Sequence, residues 1–396
     1  MACEQLTRLG DVIELEDVKR EPISSRDRKD RKGSYPYYGA QGIVDYLDDY
    51  TYEGDYLLVA EDGENLRSRK NPIANAASGK FRVNNHAHVI AESEKCNLVF
   101  LRHLLNMTDI SAYVTGSTQP KLSQSNLCAM KLPLPSMAEQ NAIANVLSLF
   151  DRKIELNNQL NDYLLDLLKS SAKNLYLKHE KNIQEKLPSG WRWVSIGEIA
   201  DMVCRGIAPK YSLESDEIIL GQTCVRNNLV LTENGRSHAP KKLTDKWLRK
   251  YDLLINSTGV GSLGRTAQVW FEPSKLVVDS HVTIVRATDK KNALYLGSWA
   301  FEHERYIESL HTGSTGQTEL PRDRVKAIRV VLPDAGTLDE FNAIAEPSVK
   351  MIVANQEENK RLIEIRDTLL PKLMSGEIDV SKVDLMQLTN NHLADY

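Results

Sequence analysis

The sequence predicts an α+β protein in which two globular domains of mixed strands and helices are separated by two long antiparallel helices that pair as a coiled coil. Three observations lead to this prediction. Two long segments carry apolar residues at alternating steps of four and three. Short β-rich runs with glycine-containing turns fill the rest. Similar short motifs also recur in the same order in the two halves of the chain, separated by a nearly constant number of residues. This indicates an internal pseudo-two-fold duplication.

The first long helix is expected over residues 135–176, within a helical region of 136–186 that includes a linker. Ser136 and Glu139 can form a capping box, because each side chain can satisfy a free backbone N–H of the first turn. Asn157 and Asn161 fall in the middle of the apolar face, where buried polar residues would fix the register of pairing at some cost in stability. A second apolar line is expected to widen this face: Val146, Leu156, Leu160, Tyr163 and Leu167.

The second long helix is expected over residues 338–374 of a helical region spanning 336–380, with Thr337 and Glu340 as an equivalent capping box. Pro347 should kink or restart it, and Pro371 and Gly376 should mark its end. A broad apolar face must be buried, and the duplicate helix is the obvious partner. The residues expected to pair the two helices are Ile143, Leu147, Phe150, Ile154, Asn157, Asn161, Leu164, Ile352, Asn359 and Ile363.

The duplication extends over the whole chain. Thr-Gly-Ser-Thr at 115–118 recurs at 312–315, and Asn-Asn-His at 84–86 corresponds to Asp-Ser-His at 279–281. The predicted organisation is a first globular domain (1–135), a first helical region (136–186), a second globular domain (187–335), a second helical region (336–380) and a tail (381–396).

Local patterns predict the elements within each globular domain. In the first, strands are expected at 56–60 and 88–90 and a helix at 98–107. In the second, strands are expected at 251–259, 267–271, 282–287 and 328–333, and a helix at 293–310.

Composition narrows the class of protein. A net charge of −4, with 41% hydrophobic and 26% charged residues, is typical of a globular chain and argues against a strongly basic nucleic-acid binder. The absence of a long apolar run predicts no membrane association. The 5 cysteines are scattered without a CxxC pair, which predicts reduced thiols in a cytoplasmic protein and no metal site.

Two similar domains held inverted at the ends of a stiff spacer suit duplex DNA, because its backbone has two-fold symmetry and its grooves repeat every ~34–36 Å. Several segments also resemble the specificity subunit of type I restriction–modification systems. These are YPYYGAQGIVDYLDDY (35–50), YVTGSTQPKLS (113–123), LPLPSMAEQNAIANVLSLFDRKIELNN (132–158) and DTLLPKLMSGEIDV (367–380). The second domain lacks the YPYYGA run, so the two domains are expected to be different subtypes.

This resemblance implies that each globular domain is a target-recognition domain for one half of a bipartite, asymmetric site in double-stranded DNA. It implies that the helices set the gap between the halves and dock two methyltransferase subunits, and that restriction subunits join the complex. Adenine-N6 methylation and ATP-dependent DNA cleavage for host defence would then belong to those partners. The chain itself would be non-catalytic and bind no cofactor, while S-adenosylmethionine, ATP and Mg²⁺ would bind to the partner subunits.

Lys, Arg, Ser, Thr and Gln side chains are the candidates for DNA contact, since they neutralise phosphates or donate to phosphates and base edges. The alternative interpretations are a solvated charged surface for the basic clusters and a tight turn for the TGST segments. The candidates are Lys29, Arg31, Lys32, Arg67, Arg69, Lys70, Ser117, Thr118, Gln119, Lys121, Lys241, Lys242, Arg265, Ser314, Thr315 and Gln317. His86 and His281 begin matching strands and are interpreted as structural.

Other functions were weighed against the same sequence. Residues 259–266 nearly spell a phosphate-binding loop, but Arg265 replaces its lysine and a strand-like run follows where a helix is required. Asn71 begins Asn-Pro-Ile-Ala rather than the Asn-Pro-Pro-aromatic motif of adenine methyltransferases, and no glycine-rich cofactor loop follows a strand. No carboxylates have a clear nuclease-like spacing either, so a stand-alone methyltransferase or nuclease is disfavoured. The remaining alternative is a helical scaffold that recruits partner proteins without binding DNA.

Overall fold

The computed structural model describes residues 6–181, 186–212, 214–239, 245–313 and 318–380. The chain divides into two compact units, one made of residues 1–155 with 359–396 and the other of residues 156–358. No helix within the described ranges is both long and apolar enough to cross a membrane. The mixed α/β fold with two long helices, expected from the sequence, is confirmed.

The first unit contains a large sheet, short helices and parts of both long helices. Its strands are β1 (Leu6–Arg8), β2 (Glu14–Leu15), β3 (Lys32–Gly39), β4 (Gly42–Leu47), β5 (Tyr52–Ala60), β6 (Ala74–Val83), β7 (Ala87–Ala91) and β8 (Lys131–Pro133). Its helices are α1 (Asp27–Asp30), α2 (Asn65–Ser68), α3 (Leu98–Met107), α4 (Gln124–Ala129) and the beginning of α5 (Met137–Lys181). The strands expected at 56–60 and 88–90 and the helix expected at 98–107 are confirmed.

Six of these strands form one sheet in the order β2-β7-β5-β6-β3-β4, antiparallel except for the β3–β6 pair. Alternate residues of β5 enter different cores, because successive side chains of a strand point to opposite faces. Leu57 and Val59 join a cluster with Phe100 of α3, whereas Leu58 joins a cluster with Phe81. The sheet therefore has helices on one face and an aromatic-rich cluster on the other.

The second unit is built from shorter strands. They are β9 (Arg192–Ser195), β10 (Ala200–Arg205), β11 (Ile218–Leu220), β12 (Val225–Arg226), β13 (Leu229–Val230), β14 (Arg236–Ser237), β15 (Leu253–Asn256), β16 (Thr266–Gln268), β17 (Leu276–Val278), β18 (Val282–Ala287) and β19 (Arg329–Leu332). The helices are α6 (Lys290–Glu302), α7 (Glu304–Ser309), α8 (Arg322–Ala327) and α9 (Ala335–Met374), whose last part belongs to the first unit.

The central sheet of the second unit has the order β10-β18-β15-β16, which repeats the order β2-β7-β5-β6 of the first unit. The first and last strands also pair in the same way, β1 with β8 and β9 with β19. The predicted strands of this unit are present with shifted ends, except that β18 matches 282–287. The same arrangement of elements thus occurs once in each unit.

The helix expected at 293–310 is broken into α6 and α7 at His303. The His303 ring lies 2.7 Å from the carbonyl oxygen of Trp299 through Nδ1 and 3.0 Å from Glu180 through Nε2. These side-chain bonds compete with the regular helix ladder, and the apolar periodicity did not reveal them.

Within the second unit, the long helices run antiparallel. Asn157 Nδ2 donates to Glu358 Oε2 at 2.7 Å, and Asn355 Nδ2 donates to Asn161 Oδ1 at 2.8 Å. Asn157 and Asn161 are buried, as a register-setting role requires. Ile352 is also buried, and the described parts of α5 and α9 share one core whose long-helix members include Leu168, Ala172, Tyr176, Leu338, Phe341, Ala345 and Val349. Leu164 packs against the edge of this core.

Within the first unit, Ile143, Leu147 and Phe150 lie in a core cluster with three leucines of α9, which are Leu362, Leu370 and Leu373. Ile154 packs beside that cluster, and Asn359 is buried. Ile363 differs from the expectation: it is 39% exposed, and Leu362 takes the buried position. The reason is that an α-helix turns every 3.6 residues, so the buried side drifts away from a strict four-and-three pattern.

The second apolar line on α5 is also different from the expectation. Val146 is buried, but the line beyond it is solvent-exposed. Its exposed members are Leu156, Leu160, Tyr163 and Leu167. These side chains form an apolar stripe on the outside of the helix rather than an extension of the pairing face.

The helix starts are capped by different residues. The capping box at Ser136 is confirmed: its backbone N–H donates to Glu139 Oε2 at 3.0 Å, and the Glu139 N–H donates to Ser136 Oγ at 3.4 Å. The box expected at Thr337 is wrong, because Asp334 accepts the Thr337 N–H at 3.1 Å and α9 begins earlier.

Pro347 does not restart the second helix, since α9 is continuous through it. A proline removes one N–H from the helix ladder, but Ala345 and Val349 on either side are fully packed into the core and hold the segment helical. Pro371 does not end the helix either, since α9 runs on to Met374. Gly376 follows the helix with a φ of 70°, as expected for a glycine that ends a helix.

Candidate nucleic-acid interface

In the first unit, several loops meet at one end of the six-stranded sheet. Strand β5 ends at Ala60 opposite Ala87, where β7 begins, so the segments that follow β5 and precede β7 share this end. The backbone N–H of Leu122 donates to Glu61 O at 2.7 Å and brings in the TGST loop, residues 115–121. We call these joined segments the loop edge of the first unit: residues 61–63, 84–86 and 115–121.

The TGST loop is closed by two backbone hydrogen bonds between Thr115 and Lys121, both 2.8 Å. Gly116 has a φ of 85°, and a Cβ there would lie 2.2 Å from the Gln119 carbonyl oxygen, so the tight turn requires glycine. The loop residues predicted for DNA contact are all exposed, namely Ser117, Thr118 and Gln119. Both interpretations of the loop, tight turn and presented polar surface, therefore fit its geometry.

Arg67 lies beneath this loop and supports it. Its guanidinium donates to the carbonyl oxygen of Ser117 at 2.8 Å and to that of Gly116. The side chain is exposed, yet its donors already hold the loop backbone. Arg67 therefore positions the loop whether or not it also contacts a base.

His86 is part of the loop edge, and its ring is anchored. Nδ1 lies 2.7 Å from Asp62 Oδ2, and the backbone N–H of His86 donates to Asn84 Oδ1 at 2.8 Å. The side chain is 47% exposed. His86 was interpreted as structural from the sequence. Its ring is indeed anchored, but it is held at the surface beside the TGST loop.

Beneath the loop edge lies a charged network. Glu61 Oε1 is 3.1 Å from Lys121 Nζ, and Glu61 Oε2 is 2.6 Å from Arg20 Nη1. The buried His88 ring is bound on both sides, to Asp17 Oδ2 at 2.6 Å and to a backbone carbonyl at 2.8 Å. Burial opposes ionisation of Asp17, but hydrogen bonds from His88 and a backbone N–H keep the pKa of Asp17 below its ordinary value.

Three residues of this network form the one candidate metal-binding cluster among the residues that the structure describes. The candidate ligand atoms of Asp17, Glu61 and His88 lie within 4.8 Å of one another. Arg20 and Lys121 already supply the positive charge, and both nitrogens of His88 already face protein acceptors. The cluster thus has the chemistry of a buried ion-pair network that supports the loop edge.

The second unit has a matching loop edge. Thr312 and Glu319 close the second TGST loop with backbone hydrogen bonds of 2.7 and 2.9 Å, and Leu320 donates to Ser257 O at 2.8 Å. His281 is exposed, and its Nδ1 lies 2.8 Å from Thr258 Oγ1. We call residues 257–261, 279–281, 312–313 and 318–319 the loop edge of the second unit.

The expected basic cluster before the YPYY run is largely neutralised. Arg31 pairs with Asp48 at 3.3 Å and with Asp49 at 2.7 Å, and Lys32 pairs with Asp45 at 2.5 Å. Lys29 is exposed. Acidic side chains in and directly after β4 neutralise this cluster. It therefore has less positive charge available for a DNA phosphate backbone than the sequence suggested.

Two further basic candidates lie away from the loop edge. Arg69 has a left-handed φ of 51° and donates to the carbonyl oxygens of Leu105 and Asn106 at 2.9 and 2.7 Å, so it holds the end of α3. Burial lowers the pKa of Arg69. Lys70 is exposed, and together with Arg69 it lines a cavity of about 800 Å³.

In the second unit, Arg265 lines a cavity of about 630 Å³ together with Asp162, Asp166 and Glu304. Strand β16 follows Arg265 directly, which agrees with the rejection of a phosphate-binding loop at 259–266. Some predicted contacts lie outside the described residues, namely Lys241, Lys242, Ser314, Thr315 and Gln317.

Comparison with known proteins indicates the family that the chain resembles. Residues 5–165 match the family described as type I restriction modification DNA specificity domain. The expected resemblance to type I specificity subunits is confirmed. The match covers the first unit's sheet, its loop edge and the start of α5. These parts contain three of the four segments from which the resemblance was inferred; the fourth, 367–380, lies outside the match.

Relatives extend the similarity over nearly the whole chain. A Haemophilus influenzae protein provisionally named as a type I restriction enzyme specificity subunit is 25% identical over 91% of this chain and 94% of its own length. The MjaIX specificity subunit of Methanocaldococcus jannaschii is 25% identical over 83% of this chain and 80% of its own length.

A solved structure shares the fold. The S subunit of a type I restriction–modification system from M. genitalium aligns with a TM-score of 0.53 and 18% identity, over 93% of this chain and 95% of that chain. The similarities favour a DNA-specificity role over the alternative of a scaffold without DNA binding.

Sequence reasoning found the TGST loops but missed the residues that anchor the histidines. The sequence did show that His86 and His281 occupy corresponding positions in the internal duplication. Their partners were not, because Asp62 lies 24 residues from His86 and Thr258 lies 23 residues from His281, with no motif linking them.

Proposed function

We propose that this chain is the DNA sequence-specificity subunit of a type I restriction–modification complex, and that each unit reads one half of a bipartite, asymmetric DNA site. The observation that carries this is the loop edge, which occurs in each unit with the same backbone hydrogen bonds and with different side chains. Asp62, Glu64 and Lys121 in the first unit correspond to Thr258, Val260 and Glu319 in the second. A common frame with different polar groups suits two different half-sites.

The long helices are proposed to act as an antiparallel coiled coil that sets the gap between the half-sites. Supporting this role are the polar pairs in the middle of the helices, Asn157 with Glu358 and Asn161 with Asn355. Buried polar pairs select one register, and a single register gives one length. The domain boundaries at 135, 186, 335 and 380 and the pseudo-two-fold relation are part of the same proposal.

The exposed stripe on α5 supports docking of two methyltransferase subunits on the helices. Its four residues are 52%, 40%, 73% and 45% exposed and follow steps of four, three and four: Leu156, Leu160, Tyr163 and Leu167. A helix face with this spacing is typical of a surface that a partner covers. Restriction subunits would join through the complex.

The chain itself is proposed to be non-catalytic. Adenine methylation with S-adenosylmethionine, and DNA cleavage with ATP and Mg²⁺, would take place on the partner subunits. The chemistry of the loop edges agrees with this, because their exposed hydroxyl, amide and imidazole groups are suited to hydrogen bonding with DNA.

The proposal is tested by co-expressing the chain with the methyltransferase subunit encoded beside it and mapping methylated adenines by single-molecule sequencing. A split, asymmetric motif is expected. Replacing residues 1–135 with the corresponding domain of another specificity subunit should change one half of the motif and leave the other half unchanged.

A matched control replaces residues 187–335 instead, which should change only the opposite half. If methylation requires the chain but neither exchange alters the motif, the chain acts as a scaffold and the recognition role is refuted. The same conclusion would follow if the complex assembled without binding duplex DNA.

A further inference from the structure

The two anchored histidines present the same free atom in each unit. In the first unit, the His86 backbone is fixed on both sides, because its N–H donates to Asn84 and its carbonyl oxygen accepts the Glu61 N–H at 2.9 Å. Its ring is fixed by Asp62 through Nδ1. Among the described residues, no protein group bonds to its Nε2, and the side chain is 47% exposed.

The partner atom determines which ring nitrogen of His86 carries hydrogen. A carboxylate oxygen accepts hydrogen bonds, so Nδ1 donates to Asp62. When both ring nitrogens carry hydrogen, Nε2 is the atom that faces outward and can donate to a ligand. Glu61 and Lys121 are the other charged groups on the segments packed beside the ring, and they pair with each other at 3.1 Å.

In the second unit, a hydroxyl takes the place of the carboxylate. Gln222 Nε2 donates to Thr258 Oγ1 at 2.9 Å, and His281 Nδ1 lies 2.8 Å from the same oxygen. The Thr258 hydroxyl can therefore donate its own hydrogen to Nδ1. That places the ring proton on Nε2, so a neutral His281 already has an outward donor.

The position is kept between the units while the side chains around it change. Asp62 becomes Thr258, Glu64 becomes Val260 and Lys121 becomes Glu319, yet a surface histidine anchored through Nδ1 occurs in each loop edge. A group shared by two units that read different sequences suits a target that both half-sites share. In duplex DNA, that target is the phosphate backbone.

We propose that His86 and His281 each donate an Nε2 hydrogen bond to a backbone phosphate, one in each half of the DNA site. The inference rests on the proposed function and adds to it two sequence-independent contacts.

The test uses the complex of the full chain with its methyltransferase subunits and measures binding to a duplex with the methylated motif and to a scrambled duplex. His86→Asn keeps a donor near Asp62 but removes the one at Nε2. It should weaken binding to both duplexes by a similar factor of about ten.

His281→Asn should weaken binding to both duplexes to a similar extent. His86→Gln keeps a donor close to the position of Nε2 and should recover part of the lost affinity. The control is Lys95→Gln, which removes a positive charge at the opposite end of β7 and should change binding to neither duplex.

Three results would overturn the inference: unchanged binding in both histidine variants, weakening of the motif duplex alone, or a methylated motif relaxed at one base. The last two would make the histidines base readers. Thermal unfolding of each variant separates loss of contact from loss of fold. If the wild-type complex prefers neither duplex and methylates no split motif, the proposed function fails, which is a distinct outcome.

Discussion

Asp151 is the residue whose surroundings make the sharpest prediction about stability. On α5, it accepts hydrogen bonds from the side chains of Arg102, His103 and Arg366, with distances of 2.9 Å to His103 Nε2 and 2.9 Å to Arg366 Nη1. Burial opposes its ionisation, but the His103 hydrogen bond and the Arg102 charge lower the pKa of Asp151 to about 2. One carboxylate thus joins α3, α5 and α9 within the first unit.

Asp151→Asn should lower the free energy of unfolding by about 2–3 kcal/mol near pH 7, because a neutral amide replaces the carboxylate that Arg102, His103 and Arg366 share. The effect should depend on pH. A carboxylate with a lowered pKa stabilises the fold above its unfolded pKa of about 4. The difference between wild type and variant should therefore shrink as the pH falls from 4 towards 2. Denaturant titrations across that range measure it.

Asp367→Asn is the matched control. Asp367 pairs with the same Arg366 at 2.9 Å, but its side chain is 61% exposed, so its removal should have little effect at any pH. Equal losses for the two variants would mean that the Asp151 contacts are no stronger than a surface ion pair.

Sequence reasoning at the residue scale succeeded where the signal is local. It identified the TGST loops and the buried Asn157 and Asn161. It could not find the support of His86 by Asp62, or the pairing of Arg31 with Asp48, since each pair joins segments that are distant in sequence. Charge runs in particular give no sign of which charges the fold will neutralise.

At the scale of single elements, the starts of the two long helices can be compared directly. Ser136→Ala should cost about 1 kcal/mol, because it removes the side-chain acceptor of the capping box. Asp334→Ala should cost a similar amount, whereas Thr337→Ala should cost less, since Asp334 caps α9. Thermal unfolding of the three variants checks the order, and an equal loss for Thr337→Ala would contradict the assigned cap.

The polar pair inside the helices offers a second test at this scale. Asn161→Leu should destabilise the chain by about 1–3 kcal/mol, because Asn355 loses its acceptor. Asn161→Leu combined with Asn355→Leu should recover much of the loss, since two apolar groups replace a matched polar pair. Denaturant unfolding measures this double-mutant cycle. Losses that simply add would show that the two side chains are not coupled.

The sequence predicted the elements with strong apolar periodicity well. It predicted the residues that cap or break them less well. Helix α3 has the predicted bounds of 98–107, and Asn97 caps it by accepting the Phe100 N–H at 3.0 Å. The cap of α9 was misassigned because a Thr-x-x-Glu pattern can occur inside a helix as well as at its start. The break at His303 depends on Glu180, which the local sequence does not contain.

At the scale of the whole molecule, the proposed spacer role predicts a change in the DNA site. Inserting seven residues after Gln159 in α5 and seven after Gln356 in α9 lengthens both helices by about 10 Å. The insertions fall between the two polar pairs, so both pairs can re-form. The gap in the methylated motif should grow by about three base pairs at 3.4 Å each.

Single-molecule sequencing of the methylated DNA reads this gap directly. An insertion in α5 alone is the control: it shifts one helix past the other, so it should reduce stability and methylation instead of lengthening the gap. An unchanged gap after the paired insertion would show that the helices are not the ruler.

The core of the first unit includes Leu362, Leu370 and Leu373 of α9, which pack in the same cluster as Phe100 and Leu147. During translation, this unit begins to emerge first but is completed last, after residues 156–358 have been made. At a synthesis rate of about 5–20 residues per second, making residues 156–358 takes roughly 10–40 s. During that time the apolar side chains that α9 later covers stay exposed. A premature stop before α9 would therefore remove Leu362, Leu370 and Leu373 from the core of the first unit.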